Sequence, residues 1–239
     1  MALAPLGFAD LAVDVPSHVC LFYSDDDELR GRLDFLAIAL QDPTQVAVLF
    51  GRKARLTEIL GYIAADHGRN IEDDLRDGRI VLVDGDPDAD KLIPKIGTAL
   101  DAAVARGAKL IRFLGFIGWG DPSWPSNREL LEFESKVNAA VLSYPAVIMC
   151  TYNTSQLPGS VLIFGGIETH PFTIIGTTLC KNPHYIPYDQ YLAKQRAYEA
   201  DPSSRRDRLA GVDVSAIRLS SGSRGSRGSR GSSAAGGRT

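Results

Sequence analysis

The sequence predicts a three-layer α/β fold, in which helices cover both faces of a predominantly parallel β-sheet. Short apolar runs alternate along the chain with longer segments whose apolar residues recur at helical spacing. Residues 146–152 (AVIMCTY) are apolar on both faces, as expected of a parallel strand covered by helices. With 239 residues and 44% apolar side chains, the chain can bury one substantial core, so one globular domain is predicted.

Two strand–helix units are predicted first. Residues 18–24 (HVCLFYS) predict a strand, and the following helix has an N-cap at Ser24 or Asp25 and extends to about Leu40. Residues 45–50 (QVAVLF) predict a second strand, and its helix ends near Gly68.

The later elements continue this alternation. Ser126 and Glu129 have the spacing of a capping box, which predicts the start of a helix that ends near Tyr144. Another helix is predicted at residues 89–105, and the remaining strands are predicted at 79–83 (RIVLV), 109–116 (KLIRFLGF), 146–152 and 172–178 (FTIIGTT).

We assign residues 1–200 to the globular domain and residues 201–239 to a disordered Arg/Gly/Ser-rich tail. From residue 220 the chain is almost entirely Ser, Gly, Arg and Ala, so it has little apolar surface to offset the entropy of ordering. Residues 204–239 contain eight Arg and two Asp, a net charge of +6, so residues 1–203 carry −9 of the total of −3. This acidic domain is a poor surface for nucleic acid, and only the tail could bind it.

The composition predicts a cytoplasmic protein. No run approaches the ~18–20 apolar residues of a membrane span, and no basic residue precedes the short apolar N-terminal segment, so neither a membrane anchor nor a signal peptide is expected. The three cysteines are widely spaced and odd in number, which fits a reducing compartment.

A phosphate-binding loop is not expected. The chain has neither GxxxxGK[ST] nor a convincing GxGxxG, and residues 25–28 are four consecutive carboxylates directly after the first strand. These acidic side chains would repel phosphate, and they suit the N-terminus of a helix.

Polar side chains within apolar strands are the candidate ligand-binding residues. His18 and Cys20 are two positions apart, so they share a face, and Tyr23 points to the other; Cys150 and Tyr152 form a similar pair. We expect a pocket at the carboxyl ends of the strands, where open α/β sheets bind ligands, with Trp119 in the adjoining loop.

Arg112 interrupts an apolar strand and needs a partner, for which Glu134 is the best candidate in the sequence. This pair could be a structural brace, contact a ligand, or serve both roles. His170 precedes Pro171 at a strand entrance, where it could contact a ligand or only form a turn.

No cofactor is predicted. His18, Cys20, Cys150 and His170 are a chemically reasonable tetrahedral set for a metal ion, but they lack the short-range spacing that makes such signals specific. No hydrolase or metalloprotease motif is present, so we do not predict an enzyme.

Several short motifs together resemble the methanogen/methylotroph DcmR sensory (MEDS) domain family over residues 16–178. They are, in order, His18-Val19-Cys20-Leu21-Phe22-Tyr23-Ser24 with Glu28-Leu29, Arg112, Leu131-Glu132-Phe133-Glu134, Cys150-Thr151-Tyr152-Asn153 and His170-Pro171. The resemblance implies a RecA-like sensory fold without a phosphate loop, associated with small hydrocarbon derivatives and found alone or joined to DNA-binding or signalling domains.

We therefore predict a stand-alone sensory domain of signal transduction that binds a small ligand and acts through a regulatory partner protein. No helix-turn-helix is recognisable, which argues against direct control of transcription. The alternatives are a degenerate nucleotide-binding or protein-interaction module, and a cysteine-dependent enzyme using Cys20 or Cys150. A homo-oligomer is compatible with each of these.

Overall fold

The computed structural model describes residues 2–200. The part up to Arg196 forms one compact unit, and a second unit begins at Ala197. The tail predicted at residues 201–239 lies outside the described residues.

A seven-stranded sheet lies at the centre of the fold. Its strand order is β5-β4-β6-β7-β3-β8-β9, and all neighbouring strands are parallel except β8 and β9. The strands are β3 (Ser17–Tyr23), β4 (Gln45–Gly51), β5 (Ile80–Asp84), β6 (Leu110–Phe116), β7 (Ala146–Asn153), β8 (Phe172–Ile175) and β9 (Thr178–Lys181). A separate antiparallel hairpin of β1 (Ala2–Pro5) and β2 (Ala12–Val15) precedes them.

Helices cover both faces of the sheet, and two apolar cores result. One core contains residues of α2, α3 and the N-terminal hairpin, and the other contains residues of α5 and α6. The helices are α1 (Asp26–Arg30), α2 (Asp34–Gln41), α3 (Lys53–His67), α4 (Ile71–Arg76), α5 (Ala89–Ala105), α6 (Asn127–Val141), the short α7 (Gly159–Val161) and α8 (Tyr188–Ala200). The three-layer, predominantly parallel α/β fold predicted from the sequence is confirmed.

Most predicted elements are confirmed, including the helix at residues 89–105 and the capping box of Ser126 and Glu129. Two boundaries were wrong. The helix predicted to continue to Leu40 is two helices, because the backbone makes turns between Arg30 and Asp34. The strand predicted at 172–178 ends at Ile175, because Gly176 has a φ of 58° and begins the turn into β9.

Trp124 closes one end of the second core, and its indole lies between two glycines. It packs edge-on against Phe50, with 5.4 Å between ring centroids. A Cβ atom added at either Gly85 or Gly118 would overlap the indole. Both positions therefore require glycine for close packing.

We expect Gly118→Ala to lower the free energy of unfolding by about 1–3 kcal/mol, because the indole must be displaced from a packed position. Gly61→Ala is the matched control, because Gly61 is an exposed residue of α3 with no atom near its added Cβ. That change should stabilise the protein by about 0.5–1 kcal/mol through helix propensity. Urea titrations of both variants measure the difference, and equal stabilities would contradict the packing argument.

Candidate functional site

Four polar side chains from four parts of the chain meet in the apolar layer between the sheet and α6. They are His18 of β3, Glu134 of α6, Cys150 of β7 and His170, which lies just before β8. One potential ligand atom from each lies within 4.8 Å of those of the other three. All four residues are at most 2% exposed. This buried polar cluster is the candidate functional site.

Strand register brings the cluster together across more than 130 residues of sequence. β3 and β7 are adjacent and parallel, with Cys20 opposite Cys150 and His18 opposite Ile148. Side chains two positions apart share a face, so His18 and Cys20 point to the same side of the sheet as Cys150 and Tyr152. The predicted pairings within each strand are therefore confirmed.

Helix α6 covers this face with two polar residues one turn apart, Glu134 and Asn138. Their neighbours Leu130, Val137 and Val141 are buried in the same apolar layer. The capping box at Ser126 fixes where the helix begins.

The hydrogen bonds of His18 connect the cluster to α6. Its Nδ1 lies 3.2 Å from Asn138 Oδ1, and its Nε2 lies 3.3 Å from Cys150 Sγ and 3.5 Å from Glu134 Oε2. The amide nitrogen of Asn138 donates to the carbonyl oxygen of Thr169, which leaves Oδ1 as an acceptor. His18 Nδ1 must therefore carry a proton, and Nε2 is the ring nitrogen that faces the cluster.

His170 has the same arrangement. Its Nδ1 lies 3.1 Å from the carbonyl oxygen of Gly165, which can only accept, so Nδ1 carries the proton. Its Nε2 is buried without a hydrogen-bond partner and lies 3.8 Å from Glu134 Oε2. The rings of His18 and His170 are 4.0 Å apart at their centroids, so both Nε2 atoms lie in the same cluster.

Glu134 is held from the opposite side by Tyr152, whose hydroxyl donates to Oε1 over 2.8 Å. The other carboxylate oxygen, Oε2, accepts from Cys150 Sγ over 3.5 Å. The carboxylate therefore has one oxygen fixed by a neutral donor, while the other faces the thiol and the two imidazoles.

Burial keeps several of these groups neutral. Burial first, and the charge of Glu134 second, raise the pKa of the Cys150 and Cys20 thiols and of the Tyr152 hydroxyl. Burial first, and the adjacent His18 second, lower the pKa of His170. Without a cation in the cluster, the thiols stay protonated and His170 stays uncharged at neutral pH.

A π-helical segment, Leu162–Ile167, contacts α6, β3 and β7 beside the cluster. Gly165 approaches Trp119 and Tyr152, and Gly166 approaches Phe22 and Cys20, so closely that an added Cβ would crowd these side chains. π-helical turns are rare and often occur at functional sites. We call residues 162–167 the cover segment.

The predicted Arg112–Glu134 pair is wrong. Arg112 is buried on the opposite face of the sheet, where its Nε donates to Gln45 Oε1 over 2.8 Å and its Nη1 to the carbonyl oxygen of Pro5 over 2.7 Å. Its guanidinium also lies over the ring of Phe35. Burial lowers the pKa of Arg112 to about 10, and the charge of Asp42 opposes this shift only in part.

The other candidate residues divide between the two faces. Trp119 contacts Tyr152, with ring centroids 5.9 Å apart, and Cys20 lies beside the cluster without being one of its four members. Tyr23 is buried in the core on the other face.

The cluster lies beneath α6 and not at the carboxyl ends of the strands, since His18 is the second residue of β3. Sequence reasoning did not identify Asn138, although its spacing from Glu134 was visible.

The carboxyl edge of the sheet carries helix-capping carboxylates and a groove that is separate from the polar cluster. After β3, Asp25 accepts from the backbone nitrogen of Glu28 and caps α1, while Glu28 accepts from that of Ser24. A groove of about 360 Å³ lies at the ends of β4 and β5, beside Arg52 and Trp124. None of the candidate residues chosen from the sequence lines this groove.

The fold and site define a class: an α/β domain without a phosphate-loop motif whose buried polar site lies between the sheet and one helix. Residues 17–171 match the family model of MEDS, the "MEthanogen/methylotroph, DcmR Sensory domain". Because this match covers well over half of the chain, the protein belongs to the MEDS family of sensory domains.

The remaining comparisons are less specific. No curated protein sequence matches the chain significantly. Among solved structures, a KaiC-like protein, PH0186 from Pyrococcus horikoshii OT3, is similar at 18% identity and a TM-score of 0.47, over 66% of this chain and 69% of that one. Within residues 2–200, every helix is too short or too polar to span a membrane.

Proposed function

We propose that this chain is a cytoplasmic sensory domain that binds a small hydrocarbon derivative at the buried polar cluster and signals through a partner protein. The observation that carries the proposal is the convergence of His18, Glu134, Cys150 and His170 inside an apolar layer. Buried polar groups that lack partners are costly, and such groups concentrate at functional sites. A ligand that supplied the missing partner of His170 Nε2 would offset that cost.

In this proposal a ligand reaches the cluster past the cover segment. Ile163 within it is 51% exposed, whereas Gly165 and Gly166 contact the aromatic side chains above the cluster. A shift of this segment would expose the cluster on one side and change the outer surface on the other. This supports the proposal that ligand binding alters the surface offered to a partner.

A cysteine-dependent enzyme is the second candidate, because Cys150, His18 and Asn138 form a connected Cys–His–Asn series. Two features argue against catalysis. The Cys150 side chain is enclosed, and the Glu134 carboxylate 3.5 Å from its sulfur opposes formation of the nucleophilic thiolate. Slow iodoacetamide labelling of Cys150 in the folded protein would support the sensory function, whereas rapid labelling would support the enzyme.

The test of ligand binding uses Trp119 as a reporter. The chain has only two tryptophans, so Trp124→Phe leaves Trp119 as the sole one, in contact with Tyr152 and the cover segment. We expect saturable changes in its fluorescence on titration with methanol, methanethiol or dichloromethane. The reciprocal variant, Trp119→Phe, should show little change, because Trp124 packs against Phe50 away from the cluster.

Native mass spectrometry of the full chain, compared with a denatured sample, provides a second readout. A non-covalent organic mass, distinct from that of a metal ion, that is lost on denaturation would support the proposal and give the mass of a co-purified ligand. If no probe changes Trp119 fluorescence and no such mass is found, the chain does not bind this class of ligand.

A further inference from the structure

We propose that the buried polar cluster binds one zinc ion through His18 Nε2, Glu134 Oε2, Cys150 Sγ and His170 Nε2. This inference rests on the proposed function only in taking the cluster to be the sensing site. The metal site itself is argued from the orientation, spacing and charge of the four side chains.

The orientation of both imidazoles favours a cation. Asn138 Oδ1 and the carbonyl oxygen of Gly165 accept from the Nδ1 atoms, so in the neutral form that a metal requires both imidazoles would direct an Nε2 lone pair to the centre of the cluster. The carboxylate oxygen Oε2 also presents lone pairs there. Cys150 Sγ donates to this oxygen, and a divalent cation would replace the thiol proton.

The spacing is that of a tetrahedral zinc site. Zinc binds nitrogen and oxygen at about 2.0–2.2 Å and sulfur at about 2.3 Å, which places tetrahedral ligand atoms about 3.3–3.7 Å apart. His18 Nε2 lies 3.3 Å from Cys150 Sγ and 3.5 Å from Glu134 Oε2, and Oε2 lies 3.5 Å from that sulfur. His170 Nε2 lies 3.8 Å from Oε2. The two remaining separations, from His170 Nε2 to His18 Nε2 and to Cys150 Sγ, are at most 4.8 Å, so a movement of up to about 1 Å at His170 would bring all four atoms within bonding distance of one ion.

The charges also balance. One thiolate, one carboxylate and two neutral imidazoles carry a charge of about −2, which a zinc ion neutralises. A neutral site can lie in an apolar layer at much lower cost than an uncompensated carboxylate. The mixed nitrogen, sulfur and oxygen ligands suit zinc better than magnesium or calcium, which prefer oxygen alone.

A second set of contacts orients the ligands. Asn138 holds His18, Gly165 holds His170, and the Tyr152 hydroxyl holds the other oxygen of Glu134. Hydrogen bonds of this kind are usual around protein zinc sites, where they fix the tautomer and orientation of each ligand. The ion would connect β3, β7, α6 and the segment before β8, with the cover segment joined to it through Gly165.

The test measures the zinc content of the full chain purified from zinc-supplemented culture. We expect about one zinc ion per chain in the wild type and background content in Cys150→Ser and His170→Gln. Asn138→Ala should weaken zinc binding about 10–100-fold while leaving the four ligands in place. Cys20→Ala is the matched comparison, because Cys20 is equally buried and lies opposite Cys150 in the sheet, yet is outside the four-residue set.

Cobalt(II) added during refolding provides a spectroscopic readout in the wild type, which does not depend on a variant folding. A tetrahedral site with one thiolate should give visible d–d bands and a near-ultraviolet sulfur-to-cobalt band. Cys20→Ala should keep the sulfur band, and Cys150→Ser should lose it. A folded wild type that contains no zinc and gives no tetrahedral cobalt spectrum would overturn the site, as would loss of metal in Cys20→Ala but not in Cys150→Ser.

The outcomes of these experiments distinguish failure of the metal site from failure of the proposed function. Stoichiometric zinc with no Trp119 response to the small-molecule probes would contradict the proposed function and leave the metal site intact. A saturable Trp119 response in a folded wild type that takes up neither zinc nor cobalt would contradict the metal site and leave the proposed function intact. Iron or copper in place of zinc would overturn the assignment of the ion.

Discussion

Glu134→Leu is expected to lower the free energy of unfolding by about 3–5 kcal/mol, even when a chelator removes any metal contribution, because two buried donors lose their acceptor. Leucine approximates the volume of glutamate, so the loss comes mainly from unpaired polar groups. The Tyr152 hydroxyl and the Cys150 thiol would each lose the carboxylate oxygen that accepts their hydrogen bond. For a domain of this size, the loss corresponds to a fall in Tm of about 6–20 °C.

The control for this change lies on the same helix. Glu132 is two residues from Glu134, and its side chain is 49% exposed and paired with Lys136 over 2.8 Å. Glu132→Leu should change stability by at most about 1 kcal/mol, because exposed ion pairs contribute little. Thermal and urea unfolding in the presence of chelator compare the variants. Equal stabilities of Glu134→Leu and the wild type would show that the cluster does not depend on this carboxylate.

The alternation of strands and helices could be predicted because each element has a local signal. Apolar runs with flanking glycines marked the strands, and Ser126 with Glu129 marked the start of α6. The N-terminal hairpin was not predicted, because strands of four residues, such as Ala2–Pro5, are too short for a clear period-two pattern. The π-helical turn also has no known local signature in the sequence.

The site could be predicted only in part. His18, Cys150 and His170 were chosen as polar residues in apolar surroundings, but their convergence depends on β3 lying beside β7, which local patterns do not encode. The sequence analysis named Cys20 as the fourth residue of a possible metal-binding set. In the structure the fourth member of the cluster is Glu134. Sequence spacing alone could not decide whether Cys20 or Glu134 would be the fourth member of the cluster.

The error over Arg112 has a specific physical cause. β6 is buried on both faces, so its apolar residues do not alternate with polar ones and give no sign of which face each side chain occupies. Arg112 lies opposite Ala47 and Val147, on the face away from α6. Its partners are a glutamine and a backbone carbonyl of the N-terminal hairpin, which no pattern around Arg112 could indicate.

Arg112→Ala is expected to destabilise the fold by about 3–5 kcal/mol without altering the polar cluster. The change removes a large, fully buried side chain and leaves the carbonyl oxygen of Pro5 and Gln45 Oε1 without their donor. Arg112→Met keeps most of the volume, so it should cost only about 1–3 kcal/mol, from the lost hydrogen bonds. Urea titration measures both, and the order Ala worse than Met separates packing from polar contributions.

The readout that distinguishes this structural role from a ligand-binding one is the behaviour of the cluster on the other face. Arg112→Met should keep the zinc content and the Trp119 response of the wild type, because the sheet separates Arg112 from His18 and Glu134. Arg76→Ala is the control for removing an arginine at an exposed position. The Arg76 side chain is 68% exposed, so its loss should change the free energy of unfolding by at most about 1 kcal/mol. Loss of the Trp119 response in a folded Arg112→Met protein would mean that the two faces of the sheet are coupled, and that Arg112 affects sensing as well as stability.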